Sequence, residues 1–205
     1  EYGYNSAVGN AIGLSRNHLS MNSRRDADGF GGIIGLDYKP TDTLNFALKY
    51  ETPVKLKFKS KAQENNKMIF RGMPLGISFF YPEYADGVHS RRDLPGVLAL
   101  GVSKDINKWT LSGGYTHYFN RTAKMDRFKY DDGYEVNFGA DYKINEKFTW
   151  HAGFNYANTG AKKESFSDVE FAINSQIYAT GITYKPTDAS EWKFGIAHVN
   201  YNSSN

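Results

Sequence analysis

The sequence predicts an all-β fold, a transmembrane antiparallel up-and-down β-barrel to which this chain contributes about nine strands. Three observations lead there: strand-like segments alternate bulky apolar with small or polar residues, short turns alternate with long polar connections, and many aromatic residues accompany a low mean hydropathy. Of 205 residues, 16% are aromatic and 20 are glycine, while the mean hydropathy is −0.59. Membrane barrels have such compositions because half of each strand faces water.

Composition also excludes several other classes. No stretch reaches the roughly 18 apolar residues of a transmembrane helix, and the first residues lack the basic and apolar regions of a signal peptide. The chain has no cysteine, so disulfides, thiolate nucleophiles and cysteine metal sites are excluded. The formal charge of +3 is small and the cations are dispersed among acids, which argues against nucleic acid as a partner.

The alternation predicts strands of about ten residues, which cross an apolar band of about 25 Å at a tilt near 40°. Their approximate ranges are 6–20, 29–38, 43–60, 94–103, 109–120, 132–142, 148–160, 174–184 and 192–201.

The connections between these strands are of two kinds. Short ones carry a basic residue, a tight polar turn and then an aromatic residue or leucine that restarts the alternation. They are YKPTDTL from Tyr38, SKDINKW from Ser103, YKINEKF from Tyr142 and YKPTDASEW from Tyr184. The longer, polar ones lie near 20–29, 62–93, 122–132 and 161–174. Short turns at one edge and long loops at the other are typical of outer-membrane barrels.

The direction of the apolar face decides between a membrane barrel and a soluble one. In KFTWHAGFNY, residues 147–156, one face carries Phe148, Trp150 and Phe154, but one strand alone does not decide. In the strand from residue 44, Lys49 and Glu51 both fall on the polar face. Because a lysine facing lipid near the bilayer midplane costs about 2–4 kcal/mol, the polar face must be the lumen.

Two further features favour this direction. The polar faces carry glycine where exposed strands of soluble proteins usually carry charges, at Gly114, Gly139, Gly153 and Gly181. Aromatic residues cluster beside the short turns as in an interfacial girdle, at Tyr38, Trp109, Tyr142, Phe148, Tyr184 and Trp192. His198 interrupts the apolar face, so we expect it at the upper interface or flipped by a bulge.

Three segments, in order, resemble the outer-membrane long-chain fatty acid transporter family (FadL/TodX), in the C-terminal part of its barrel. They are GGIIGLDYKPTDTLNFALKYETPVKLKFKS at 31–60, DLPGVLALGVSKDINKWTLSGGYTHY from Asp93, and GITYKPTDASEWKFGIAHV in the final hairpin. The resemblance implies a barrel of about fourteen strands, plugged by an N-terminal hatch, that passes hydrophobic molecules across the outer membrane. It implies no cofactor and no energy source.

Compared with that family, residues 1–205 look like a single β-barrel domain without the hatch and without a closing strand, since the chain ends at VNYNSSN. Antiparallel barrels of this type have an even number of strands. We therefore expect a fragment of a longer protein.

The connection at 62–93 contains the apolar segment MIFRGMPLGISFFYPEY. Exposed apolar clusters of this size usually mark an interaction surface. We interpret it as a capture site for an acyl chain, each buried CH₂ contributing about 0.8 kcal/mol, with an inward-folded cap as the alternative. The candidate residues are Phe70, Met73, Leu75, Ile77, Phe79, Phe80 and Tyr81.

A basic cluster precedes this segment. Lys55, Lys57 and Lys59 share the lumen face of one strand, and with Arg71 they are candidates for charge-assisted hydrogen bonds to a carboxylate. The alternative is a solvated rim that attracts lipopolysaccharide phosphates. Pro53, just before the cluster, lacks a backbone donor and predicts a bulge or a break in pairing.

Catalysis and metal binding are not expected. Ser112 and His151 face the lumen on separate strands, but no nucleophile elbow or acidic partner is apparent. The histidines lack the spacing of metal ligands. DADG at 26–29 lacks the later glutamate of a calcium loop and is interpreted as a turn.

The expected function is therefore passive uptake of long-chain fatty acids or other hydrophobic compounds through the bacterial outer membrane. The expected partners are those compounds, outer-membrane lipid and lipopolysaccharide. Two alternatives stay open: a surface-exposed barrel acting as an adhesin or structural antigen, and a soluble lipocalin-like lipid carrier.

Overall fold

The computed structural model describes residues 20–64, 68–70, 73–126, 129–165 and 173–202. The chain divides into two compact units, one formed by Glu1–Gly29 and Lys55–Asp93 and the other by Phe30–Val54 and Leu94–Asn205. None of the helices in the described ranges has the length and apolarity to cross a bilayer. Of the strand expected at 6–20, residues 6–19 lie outside the described residues.

The described residues fold almost entirely into strands. In chain order these are β1 (Met21–Asp26), β2 (Ile33–Thr41), β3 (Leu44–Glu51), β4 (Lys57–Glu64), β5 (Met68–Phe70), β6 (Met73–Leu75), β7 (His89–Arg91), β8 (Val97–Ile106), β9 (Trp109–Tyr118), β10 (Gly133–Lys143), β11 (Phe148–Asn158), β12 (Asn174–Thr187) and β13 (Ser190–Asn202). One short helix, α1, spans Ile77–Phe80, and 3₁₀ turns lie at Pro82–Tyr84, Asn120–Thr122 and Lys163–Ser165.

The larger unit is one antiparallel sheet of eight strands in the order β13-β12-β11-β10-β9-β8-β3-β2. Strands that follow one another within the unit are also neighbours in the sheet, which is the up-and-down order that the hairpin pattern predicts. From residue 94 onward the predicted strands agree with the observed ones within a few residues. This agreement follows because alternation and turn chemistry are both local signals.

The prediction of one strand over 43–60 is wrong. β3 ends at Glu51, and β4 begins at Lys57 in the sheet of the other unit. Pro53 lies in the interruption, where its missing N–H prevents continuous pairing, so the break expected at this proline is confirmed. The segment 20–29, expected to be a loop, contains strand β1.

The repeated motif YKPT produces the same irregularity twice. The register of β2 against β3 shifts between Tyr38 and Thr41, and that of β12 against β13 shifts between Tyr184 and Thr187. Pro40 and Pro186 lie inside these shifts. Since proline has no backbone donor for the ladder, the chain bulges there before the turn closes.

Short and long connections are segregated as predicted. Tight turns join β2 to β3, β8 to β9, β10 to β11 and β12 to β13 at what we term the short-turn edge. Asn107 has φ 54° in one of them, the left-handed conformation that tight hairpins favour. β3, β9 and β11 end, and β8, β10 and β12 begin, at the opposite edge of the sheet, which we term the long-connection edge.

The pairing register confirms the two faces of this sheet. On the apolar face Leu48 pairs with Leu36 and Leu100, and Trp150 pairs with Tyr142 and Ile182. No hydrophobic side chain among the described residues is buried; Leu48 is 41% exposed and Trp150 is 38% exposed. A soluble lipid carrier encloses such groups in a core, so the exposure of Leu48 and Trp150 argues against the lipocalin-like alternative.

The opposite face carries small and polar groups. Lys49 Nζ lies 2.8 Å from Glu51 Oε1. Small residues also face each other across strands: a Cβ added at Gly139 would lie 2.5 Å from Ser112 Oγ. His198 pairs with Tyr178 in unbroken register and therefore lies on the apolar face, with Nε2 2.7 Å from Asn200 Oδ1. The bulge proposed for His198 is therefore wrong.

The smaller unit has a three-stranded sheet in the order β1-β4-β7 and a separate β5–β6 hairpin. Asp93 holds two segments of this smaller unit together. This buried carboxylate accepts hydrogen bonds from Leu56 N at 3.0 Å, Arg91 Nε at 2.8 Å and Arg91 Nη2 at 2.7 Å. Charge-assisted, bidentate bonds of this kind are among the stronger ones in proteins.

Adjacent substitutions on β3 test the two faces. Leu48→Lys should destabilise the protein by about 2–4 kcal/mol, because the ammonium group enters lipid near the midplane. Ala47→Lys, one residue away, should cost much less because the new cation faces Asp37 across the β2–β3 pair. Urea unfolding in phospholipid vesicles, followed by heat-modifiable gel mobility, measures both. Equal costs would contradict the assignment of the faces.

Replacing Asp93 tests the anchor of the smaller unit. Asp93→Ala should destabilise this unit by about 2–3 kcal/mol, since Leu56 N and the Arg91 guanidinium lose a buried acceptor. The matched control is Asp26→Ala, which removes an exposed ion pair with Arg24 and should cost less than about 1 kcal/mol. Hydrogen exchange of β4 amides distinguishes them; equal protection in both variants would contradict the anchoring role.

Candidate functional site

Strand β4 presents two different faces because its side chains alternate. Lys57, Lys59 and Lys61 are exposed on one face, which we term the basic face. Ser60 is fully buried on the other, the covered face. Lys55 is also exposed, just before the strand.

The covered face is packed by the segment that follows the β5–β6 hairpin. Ser23 Oγ donates a hydrogen bond to Tyr84 O at 3.3 Å, and the Arg25 guanidinium lies 4.5 Å from the centre of the Tyr84 ring. Ser78 N donates to Glu64 Oε1 at 2.6 Å. These contacts fix the Pro82–Tyr84 turn and the start of α1 on this side of the sheet.

Helix α1 exposes a pair of aromatic rings. Phe79 is 64% exposed and Phe80 is 53% exposed, and their centroids lie 5.4 Å apart in an edge-to-face arrangement. Leu75, Ile77 and Tyr81 are partly exposed beside them. We term the five residues the aromatic segment. Two large exposed rings held by a short helix form an apolar surface suited to an uncharged ligand.

The remaining apolar candidates, Phe70 and Met73, pair with each other across the β5–β6 hairpin. Their side chains lie outside the part of the structure that is described. The capture site and the inward-folded cap both remain predictions for the apolar candidates.

The basic face continues across the neighbouring strands. Lys57 pairs with Arg91, Lys59 with Asp26 and His89, and Lys61 with Arg24. Arg71 lies outside the described residues. The structure thus brings Lys57 and Lys59 together, and Phe79 and Phe80 together, but it places the two groups on opposite sides of one sheet.

A hydrogen-bonded network that sequence reasoning missed lies on the polar face of the larger unit. His151 Nδ1 is 2.7 Å from Asp141 Oδ1, and His151 Nε2 is 2.7 Å from Thr183 Oγ1. The statement that His151 has no acidic partner is therefore wrong. The signal was available, since Asp141 and His151 lie directly opposite each other across the turn that joins β10 to β11.

Thr183, His151 and Asp141 have the residue types of a catalytic nucleophile, base and acid, but their arrangement does not suit catalysis. The Thr183 hydroxyl is buried, so it is not presented to a substrate. Ser112 is paired with Gly139 in a different row of the sheet. The network instead ties three neighbouring strands together near the short-turn edge. Within the described residues no group of three or more His, Asp or Glu side chains is placed to hold a metal ion.

Comparison with known proteins identifies the family. The model of the outer membrane protein transport protein family (OMPP1/FadL/TodX) matches residues 3–205. Outer membrane protein P1 of Haemophilus influenzae is 24% identical over 181 residues, which cover 85% of this chain and 39% of that protein. The chain therefore spans about two fifths of the length of that relative.

Solved structures show the same fold. The CymD monoaromatic hydrocarbon channel aligns with a TM-score of 0.55 and 14% identity, over 95% of this chain and 57% of that one. The Pseudomonas putida toluene transporter TodX aligns with a TM-score of 0.54 and 19% identity, over 87% of this chain and 46% of that one. This chain belongs to the OMPP1/FadL/TodX family of outer-membrane transport proteins and forms part of a β-barrel in the bacterial outer membrane.

Proposed function

We propose that the chain forms part of a channel through which hydrophobic compounds cross the outer membrane passively, and that the aromatic segment is where they first bind. The observation that carries the proposal is the exposed pair Phe79 and Phe80 in a protein of a transport family. Aromatic rings left exposed outside a lipid-facing wall are costly in water, and a bound apolar compound would remove that cost.

The polar face of the sheet supports passage beyond this first contact. Glycine faces glycine across three pairs of strands, at Gly101 and Gly114, Gly139 and Gly153, and Gly181 and Gly195. The missing side chains let small polar neighbours pack against the wall, since a Cβ at Gly114 would lie 2.6 Å from Asn137 Oδ1 and one at Gly139 would lie 2.5 Å from Ser112 Oγ. Passage by binding, diffusion and release needs no cofactor and no energy source.

Uncharged compounds are the first candidate substrates. The related structures carry the descriptions monoaromatic hydrocarbon channel and toluene transporter. Phe79 and Phe80 offer a ring edge and a ring face, which suit an aromatic ligand. Such a ligand needs no cation, so the separation of the aromatic segment from the basic face does not weaken its binding.

Long-chain fatty acids are the second candidate. Lys57 and Lys59 would donate charge-assisted hydrogen bonds to the carboxylate. Because the two lysines lie on the opposite side of the sheet from the rings, a fatty acid would use the two groups in succession rather than together. Lys55 and Arg71 remain part of this proposal because each is also a cation that can pair with a carboxylate.

Removing the exposed rings tests the first contact. Phe79→Ser with Phe80→Ser should weaken binding of radiolabelled toluene by about tenfold, since burying one phenylalanine contributes about 1.5–3 kcal/mol. Its uptake into cells should fall in parallel. Phe30→Ser is the matched control, because Phe30 is 97% exposed and belongs to the other unit. Unchanged binding and uptake in the double variant would favour the adhesin alternative.

Removing the lysines separates the two substrate classes. In Lys57→Gln with Lys59→Gln, oleate binding should fall severalfold because the carboxylate loses its donors, while toluene binding should not change. Lys143→Gln with Lys185→Gln removes the same charge at the short-turn edge and serves as the control. Equilibrium binding in detergent measures all four combinations. Oleate affinity that is equal in both variants would contradict a carboxylate site on the basic face.

A further inference from the structure

A polar cavity of about 300 Å³ lies where the connection from β9 to β10 meets the connection that follows β11, at the long-connection edge. Arg121, Lys129 and Lys162 line it, together with the carboxylate of Asp131. Arg121 and Lys129 belong to the connection from β9 to β10, and Lys162 belongs to the connection that follows β11.

The cavity is positively charged. Three cations against one carboxylate leave a net lining charge of +2. Asp131 is engaged with Lys162, whose Nζ lies 3.1 Å from its Oδ1. Asp132, next in sequence, accepts from Arg121 N at 2.9 Å. Asp132 therefore holds the backbone of Arg121 in place, and its carboxylate is not among the groups that line the cavity.

Backbone hydrogen bonds fix the connections that carry the cations. Lys162 N donates to Lys129 O at 3.0 Å, and Asp131 N donates to Gly160 O at 2.7 Å. Gly160 has φ +70°, and a Cβ there would collide with Asp131 O, so the close approach requires glycine. Asn120 Nδ2 donates to Thr159 O at 3.0 Å, which joins the start of the β9–β10 connection to the connection that follows β11.

The height of the cavity relative to the membrane follows from the apolar face. Tyr115, Tyr134 and Tyr156 form a row there, with centroids 6.4 Å and 6.0 Å apart. Tyrosine rows of this kind lie at the membrane–water interface. Asp131 precedes Tyr134 by only about 10 Å of extended chain. The cavity therefore lies at the level of the lipid headgroups of the outer leaflet.

We propose that this cavity binds a phosphate monoester carried by the glycolipid of the outer leaflet. A phosphate monoester has about −1.5 to −2 charges near neutral pH, which matches the lining charge. The Arg121 guanidinium offers paired donors to phosphate oxygens, and the two lysines offer point charges. The proposal rests on the outer-membrane location of the chain and is independent of what the channel transports.

The test compares two forms of one probe. Fluorescent lipopolysaccharide and its enzymatically dephosphorylated form are presented in the same detergent to the intact protein, and equilibrium binding is measured. The phosphorylated form should bind at least about tenfold more tightly, because charge-assisted hydrogen bonds contribute about 1.5–3 kcal/mol each. Equal affinity for the two forms would overturn the proposal without the need for any variant.

A charge-removing variant locates the site. R121Q, K129Q and K162Q together should abolish the preference for the phosphorylated form. The triple control K143Q, K147Q and K185Q removes three cations at the short-turn edge and should preserve it. Heat-modifiable mobility shows that both variants fold. A preference that survives in the first triple variant, or is lost equally in both, would overturn the assignment to this cavity.

Free glucose 1-phosphate separates the possible sources of the phosphate. If the glycolipid is the ligand, millimolar glucose 1-phosphate should compete only partly, since it lacks the lipid that holds the headgroup at this height. Complete competition, with no preference between the two lipopolysaccharide forms, would overturn the lipid assignment. Because every arm measures binding at equilibrium, the result does not depend on transport.

Discussion

The alternation of side chains along strands whose backbone groups are paired with each other is the constraint on which the rest of the structure depends. Inside a bilayer no water is present to satisfy an unpaired N–H or C=O group, so each strand must pair with its neighbours. Once paired, its side chains have only two directions. Leu48 and Trp150 then share one wall of the sheet, and Lys49 and Glu51 share the other. A shift by one residue would exchange the two walls.

Much of the larger unit could be predicted from sequence because its signals are local. The YKPT motif both ends a strand and sets its bulge, and it does so in β2 and in β12. The break between β3 and β4 was harder, since alternation continues on both sides of Pro53 while the partner strands change. A change of partner depends on contacts distant in sequence. Strand β1 was missed for the same reason: its polar residues are held by pairing with β4.

The candidate site could also be predicted only in part, because it too depends on contacts between residues distant in sequence. Alternation alone placed Lys57 and Lys59 on one face. It could not show which face the aromatic segment would pack against, because that depends on tertiary contacts such as Ser78 N to Glu64. The cation cavity was also beyond sequence reasoning. Arg121 and Lys129 share one connection, and Lys162 is brought to them by a hydrogen bond between connections that lie more than thirty residues apart, from Lys162 N to Lys129 O.

Tryptophan fluorescence tests most directly whether the apolar face meets lipid. The chain has three tryptophans, and Trp109, Trp150 and Trp192 all lie on that face. In bilayers the fluorescence of each, with the other two replaced by phenylalanine, should be quenched by lipids with brominated acyl chains and protected from aqueous acrylamide. Quenching by acrylamide without a response to the brominated lipids would contradict the account.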